Sequence, residues 1–244
     1  MFLFQHTPDS EPGSLSYLLY CVGQGKAIAI DVHTSEVDLY LEKSAQKGVT
    51  ISHVVDTHVH ADHFSGGLEL AQRAGGEYCL FKDSPAQCDF TPLADGQVIE
   101  AGNVHAQVLH TPGHTEDSIC LLVTDKSRCD EPWFLVSGHT LFVGSVGRPD
   151  LHGKEESLAD ALFDSLHQKI LPLADYLEIL PGAQAGSVCG AGISGKPVST
   201  IGFEKRHNPT LSLSRDAFVT HVKGTILPYP EGMDKIIAFN ANPD

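Results

Sequence analysis

Short apolar stretches bounded by turn residues dominate the first two-thirds of the 244-residue chain, and their lengths predict strands more often than helices. Residues 15–22 and 26–31 flank Gly23-Gln24-Gly25 and predict a β-hairpin, because glycine supplies the positive φ that a tight turn needs. A helix is expected over 37–47, closed by Gly48, with Leu39 and Tyr40 on one side. Residues 51–56 form a β-branched strand that runs directly into a histidine-rich loop. Gly66-Gly67 then opens a helix through Ala74, and 77–81 returns as a strand. Further strands are expected at 98–100, 104–110, 118–124 and 133–137. The clearest amphipathic helix covers 155–171, where Leu158, Leu162, Leu166 and Ile170 recur every fourth residue. After a strand at 177–180, residues 182–202 are rich in Gly, Ser and Ala and predict a loop. A last helix at 214–222 starts from a serine cap, and Pro228 and Pro230 stop its continuation. No repeat and no long linker divides the chain. The expectation is one α/β (α+β) layered domain over 1–244, with a loop-rich C-terminal extension from about 182.

Charge removes one class of function. With 31 Asp and Glu against 16 Lys and Arg the net charge is −15, which leaves no clustered cation supply for neutralising phosphates, so nucleic acid is not an expected partner. Hydrophobic residues make up 41% of the chain and charged residues 19%, the balance of a folded core and not of a disordered segment. No apolar run reaches the roughly 20 residues of a membrane span, and no basic stretch precedes an apolar one at the start, so a cytoplasmic protein is the expectation. Six cysteines lie far apart without a C-x-x-C pair and read as buried, reduced thiols.

Fourteen histidines are the unusual entry in the composition, and they matter because some of them cluster. Thr57-His58-Val59-His60-Ala61-Asp62-His63 places three imidazoles and a carboxylate within six residues at a strand end, donors that can converge on a metal with little distortion. His114 in Thr111-Pro112-Gly113-His114-Thr115 and His139 in Ser137-Gly138-His139-Thr140 stand in the same context after two other strands. Three strand ends thus point to one site. Asp31, after the second strand, is expected to accept structural hydrogen bonds. His33, His152 and His207 are expected to be peripheral, and His6, His53, His105, His110, His167 and His221 carry no motif.

His58-x-His60-x-Asp62-His63, the Thr-Pro-Gly-His114-Thr segment, and Gly138-His139-Thr140-Leu141-Phe142 followed by Gly147-Arg148-Pro149-Asp150-Leu151 resemble the metallo-β-lactamase superfamily. The likeness is strongest to its persulfide dioxygenase (sulfur dioxygenase) branch, neighbours of the glyoxalase II thioesterases, and it runs from about Leu15 to Pro209. It implies a four-layer αββα sandwich with a metal at one edge. In that branch a single Fe(II) sits on two histidines and an aspartate, which implies His58 and His114 as the first two ligands. The aspartate's place is taken here by His139. Three neutral imidazoles leave the ion its full double charge, which favours an anionic sulfur donor and makes the metal harder to oxidise. The two-metal hydrolases of the superfamily also use a histidine where Ala183 stands, so two of the four ligands implied for a second metal are missing.

The implied function is a mononuclear non-haem iron dioxygenase that oxidises a persulfide or other sulfane sulfur on a thiol carrier such as glutathione to sulfite with O2. His58, His114 and His139 would hold one Fe(II) per site, with His60 as a fourth ligand or a water-orienting group and Asp62 and His63 as catalytic groups beside the metal. Arg148 offers a guanidinium fork for a carboxylate of the carrier, and Ser187 and Cys189, in Gly186-Ser187-Val188-Cys189-Gly190, match a family loop near the substrate. The alternative in another reaction class is a single-Zn(II) hydrolase of thioesterase or lactonase type, with His58, His60 and His114 as ligands. A third is a noncatalytic metal-binding protein of sulfur metabolism. A homodimer is expected from the way superfamily members pair through exposed edges.

Overall fold

The computed structural model describes residues 1–149, 153–187, 189–190, 192–226 and 232–243. Its first half holds β1 (Phe2–His6), β2 (Ser16–Cys21), β3 (Lys26–Ile30), α1 (Val37–Lys47), β4 (Thr50–Val55), α2 (Gly67–Ala74), β5 (Glu77–Phe81) and β6 (Thr91–Leu93). These strands form one sheet in chain order, antiparallel through β1-β2-β3 and parallel through β3-β4-β5-β6. The second half holds β7 (Val98–Ala101), β8 (Val104–His110), β9 (Ile119–Asp125), β10 (Phe134–Gly138), α3 (Glu155–Asp164), β11 (Glu178–Pro181), β12 (Ser199–Thr200), α4 (Ile201–His207), α5 (Arg215–Gly224) and α6 (Met233–Ala241). Its strands make a second sheet, β7 to β12 in sequence, in which only β10 and β11 run parallel.

Period-two alternation explains how the sheets stack. Tyr17, Leu19, Ile28 and Ile30 face Val108, Ile119 and Leu121 in the core between the sheets. Leu18, Ala27 and Ala29 point the other way, against Tyr40 of α1 and Leu70 of α2. On the far side Cys120, Leu122 and Leu135 pack on Leu162 of α3 and Phe218 of α5. Three apolar interfaces make four layers, αββα. Each large side chain fully buried there contributes about 1.5–3 kcal/mol.

Several elements depart from expectation. The strands at β1, β6 and β12 and the helices α4 and α6 were not predicted, and the loop expected over 182–202 gives way to β12 at Ser199. Residues 155–171 do not form one α-helix: α3 ends at Asp164 and a π-helical turn follows over Ser165–Ile170. Ser214 precedes α5 as expected, but its hydroxyl caps nothing, and its carbonyl accepts from Phe218 N instead. Asp150, Leu151, His152, Val188, Pro228 and Pro230 lie outside the described residues.

Candidate metal centre

Each donor leaves the end of a strand. Asp31 follows β3, the 57–63 loop follows β4, His114 follows β8, and His139 follows β10. The strand ends meet at one edge of the sandwich, where His58, His114 and His139 each offer a nitrogen within 4.8 Å of the others'. All three are buried, at 1%, 0% and 3% exposure. Close backbone approach makes this convergence possible: a Cβ on Gly113, at φ +154°, would meet Leu162 at 2.4 Å, and one on Gly138, at φ +47°, would meet Thr57 Oγ1 at 2.9 Å.

Hydrogen bonds set the orientation of each ring. His114 Nδ1 donates to the Arg148 carbonyl at 2.8 Å, which turns its Nε2 towards His139 Nδ1, 3.2 Å away. Thr57 Oγ1 donates to Asp31 Oδ2 at 3.0 Å and therefore accepts from His58 Nδ1 at 3.1 Å. His60 Nε2 donates to Asp31 Oδ1 at 3.0 Å, and His63 Nδ1 donates to Asp62 Oδ1 at 3.1 Å. The opposite nitrogens, His58 Nε2, His60 Nδ1 and His63 Nε2, are buried without any hydrogen-bond partner. A buried polar nitrogen without a partner costs on the order of 1–3 kcal/mol, and His58 Nε2, on a ring of the three-histidine cluster, offers its lone pair to a cation. The 3.2 Å gap between His114 Nε2 and His139 Nδ1 also matches the roughly 3.4 Å between two nitrogens on one tetrahedral ion. These residues fit a metal.

Electrostatics agree. Burial, reinforced by the neighbouring imidazoles, holds His58 well below the ordinary histidine value. Burial pushes His139 down to about 3. Both rings are thus neutral and able to donate a lone pair near pH 7. Burial alone would raise the Asp62 carboxyl, but His63, hydrogen-bonded to it, and the neighbouring His60 hold it well below the carboxylate range. His60 runs the other way, raised despite its burial by the carboxylate of Asp31. Asp31 earns its structural reading and more, since it orients both His58 and His60 while sitting at φ +53°, the only non-glycine positive φ among the described residues.

His33 corrects an expectation. It is buried, not peripheral, and stacks on His63 with ring centroids 3.6 Å apart. His207 is exposed against Phe203, as expected of a peripheral residue. His60 groups with Asp62 and His63, not with the three-histidine cluster. Arg148 is 2% exposed, and its carbonyl fixes His114. Ser187 Oγ accepts from Cys189 N at 3.1 Å, and the buried Cys189 thiol comes within 4.8 Å of donors on Asp62 and His139. One site residue escaped sequence reasoning altogether. Asn240 of α6 accepts from Ser65 N at 2.8 Å and donates to the carbonyls of His60 and His63 at 2.8 and 2.7 Å, gripping the histidine loop from 177 or more residues away in two of the three bonds. No periodicity or motif around it signals that role.

No family profile matches the chain. It is 30% identical over 236 residues to the mitochondrial persulfide dioxygenase ETHE1 of Bos taurus, covering 94% of this chain and 85% of that protein. The crystal structure of ETHE1 from Myxococcus xanthus superposes with a TM-score of 0.84 at 32% identity, over 99% of this chain and 98% of that one. A metallo-beta-lactamase from Staphylococcus aureus subsp. aureus COL gives a TM-score of 0.92 at 31% identity, over 100% of this chain and 73% of that one.

Proposed function

The chain belongs to the metallo-β-lactamase superfamily, and on that premise we propose that it is a persulfide dioxygenase that uses iron held by His58, His114 and His139. The substrate is a persulfide on a small thiol carrier such as glutathione; with one O2 and one water it yields the thiol, sulfite and two protons. What supports this reading is the convergence of three buried imidazoles on one point, in a chain similar to persulfide dioxygenases over most of its length. Iron bound there supplies open positions and the electron exchange that O2 chemistry requires.

The protein's own groups do the rest. Asp31 and the Arg148 carbonyl hold His58 and His114 in the tautomers that face the site, so the ligands need no reorganisation on binding. Asp62 stays ionised and holds His63 through its hydrogen bond, and the pair orients water beside the metal. Arg148 meets an anionic end of the carrier, and the loop of Ser187 and Cys189 borders the sulfur. No protein nucleophile enters.

The test is metal analysis of anaerobically purified protein together with O2 uptake on glutathione persulfide. Iron near one per chain and sulfite formed in step with O2 consumed are expected. Stoichiometric zinc, no O2 uptake and rapid thioester cleavage would establish the hydrolase alternative.

A further inference from the structure

His58 and His114 leave different sheets, so the angle between their rings depends on how two connections are tied together. The residues on either side of His58 supply the ties. Thr57 O accepts from Ile119 N at 2.8 Å, and Val59 N donates to Asp117 Oδ2 at 3.1 Å. Asp117 and Ile119 follow His114 directly, in a turn closed by Thr111 N donating to Ser118 O at 2.8 Å and Thr115 N donating to Ser118 Oγ at 3.1 Å. The same carboxylate oxygen of Asp117 accepts from Ser84 Oγ at 3.1 Å, on the connection after β5. Asp117, 2% exposed, thus joins three connections at the edge of the sandwich, two from the first sheet and one from the second.

We propose that Asp117 is a positioning residue of the metal centre: by holding the peptide between His58 and Val59, its carboxylate keeps the His58 ring in register with His114. The proposal rests on the reading of the three-histidine cluster as a metal centre, and not on the reaction carried out there. Of the two ties beside His58, the one from Ile119 to Thr57 is backbone to backbone and survives any side-chain substitution. The other depends on one side chain.

Geometry makes that dependence strong. The His58 and His114 rings stand with centroids 4.7 Å apart and planes at 85°, so a rotation of the 58–59 peptide carries His58 Nε2, the buried nitrogen without a protein partner, away from the common point. Packing does not prevent such a rotation. Behind the loop, Val59, Ala61, Thr115, Asp117 and Ile237 border a cavity of about 110 Å³, room into which the peptide relaxes once its amide is released. Val59 is buried, so an amide left without an acceptor is penalised where it stands and the peptide is driven to turn. Loss of a group that orients a ligand weakens metal binding by about 10–100-fold.

The experiment is an anaerobic titration of metal-free protein with Co(II), followed through the visible cobalt bands, with a competing chelator to read affinity. Those bands report how the ligand nitrogens are arranged, which a loss of general stability does not move. Asp117→Asn keeps an oxygen on the Val59 amide and is expected to match wild type in affinity and bands. Asp117→Glu keeps the charge but displaces the acceptor by one carbon, and it is expected to weaken binding about tenfold and to shift the bands. Asp117→Ala is expected to do the same. Ser84→Ala removes the other bond to the carboxylate and leaves Val59 held, so a lower urea midpoint with wild-type bands is expected. Circular dichroism checks that each variant folds, and the Asn and Glu variants decide the question if Asp117→Ala does not. Wild-type affinity and bands in Asp117→Glu overturn the proposal. A loss in Asp117→Asn as large as in Asp117→Glu overturns it too, because charge or general loosening would then be the cause, and so does an equal shift in Ser84→Ala. Failure of wild type to bind any Co(II) overturns the metal-centre reading, and this role of Asp117 with it.

Discussion

At position 139 an imidazole replaces the carboxylate that the motif resemblance implies, and the consequence is electrostatic before it is geometric. Restoring a carboxylate places a negative charge where an anionic persulfide approaches. At about 4 Å and an effective dielectric constant near 20, two unit charges interact by about 4 kcal/mol, which screening and relaxation reduce. His139→Asp is therefore expected to keep metal on His58 and His114 but to raise KM for the persulfide roughly tenfold, equivalent to about 1.4 kcal/mol. Elemental analysis and O2-uptake kinetics check this, and loss of all metal would show that the shorter side chain cannot reach the site. His58, His60, Asp62 and His63 could be recognised from the sequence because they crowd one loop at a strand end. Asp31 was readable only as a structural acceptor, and His33 and Asn240 not at all, because each acts through a partner far along the chain, as in the 26-residue separation of Asp31 from Thr57 and the 180 of Asn240 from His60.

Helix α6 shows the same limit at the scale of an element. Strands β2 and β3 are visible in the sequence as short apolar runs buried on both faces and bounded by turn residues, and β8 by its alternation. In α6 the buried positions are Met233 and Asn240, while Phe239 is 39% exposed, so no apolar stripe marks the helix. Its hold on the site is polar: the Asn240 amide makes three hydrogen bonds to the histidine loop, Phe239 packs edge-on to Phe64 at 5.1 Å, and Ala241 O accepts from Gln87 N at 2.6 Å. Asn240→Leu strands one buried donor and two carbonyls, and about 2–4 kcal/mol of destabilisation follows. Asn240→Asp, which keeps only the bond from Ser65, is expected to fall between that variant and wild type. Urea unfolding measures the loss and chelator competition the accompanying fall in metal affinity; unchanged midpoints would mean that α6 gives the loop no support. On the opposite flank, the π-helical turn after α3 also escapes a four-residue period, yet Ser165 Oγ donates from it to Pro112 O at 2.7 Å and braces the loop of His114.

For the whole molecule, alternating strands and helices made a layered α/β domain readable and the motif resemblance implied its four layers, whereas its response to pH depends on burial that only the folded structure reveals. Burial holds His58 well below the ordinary imidazole value, His139 at about 3 and, with His63 stacked on it, His33 at about 2. Below pH 6.5 the unfolded chain protonates these rings and the metal-free folded protein does not, so stability falls as pH falls, by up to about 1.4 kcal/mol per unit for each ring. His60 has the opposite sign. Its folded value is raised by Asp31, so the stability it contributes is present below 6.5 and lost as pH rises through that raised value. Self-repulsion of a chain at net charge −15 adds to the alkaline loss. The metal-free protein is therefore expected to show its highest urea midpoint near pH 6.5, lower at 5.5 because three rings resist protonation and lower at 8.5 because the unfolded chain has released the His60 proton that the fold retains. A midpoint that climbs from 6.5 to 5.5 would mean that the three rings take up protons in the fold, which removes the neutral donors the metal centre needs.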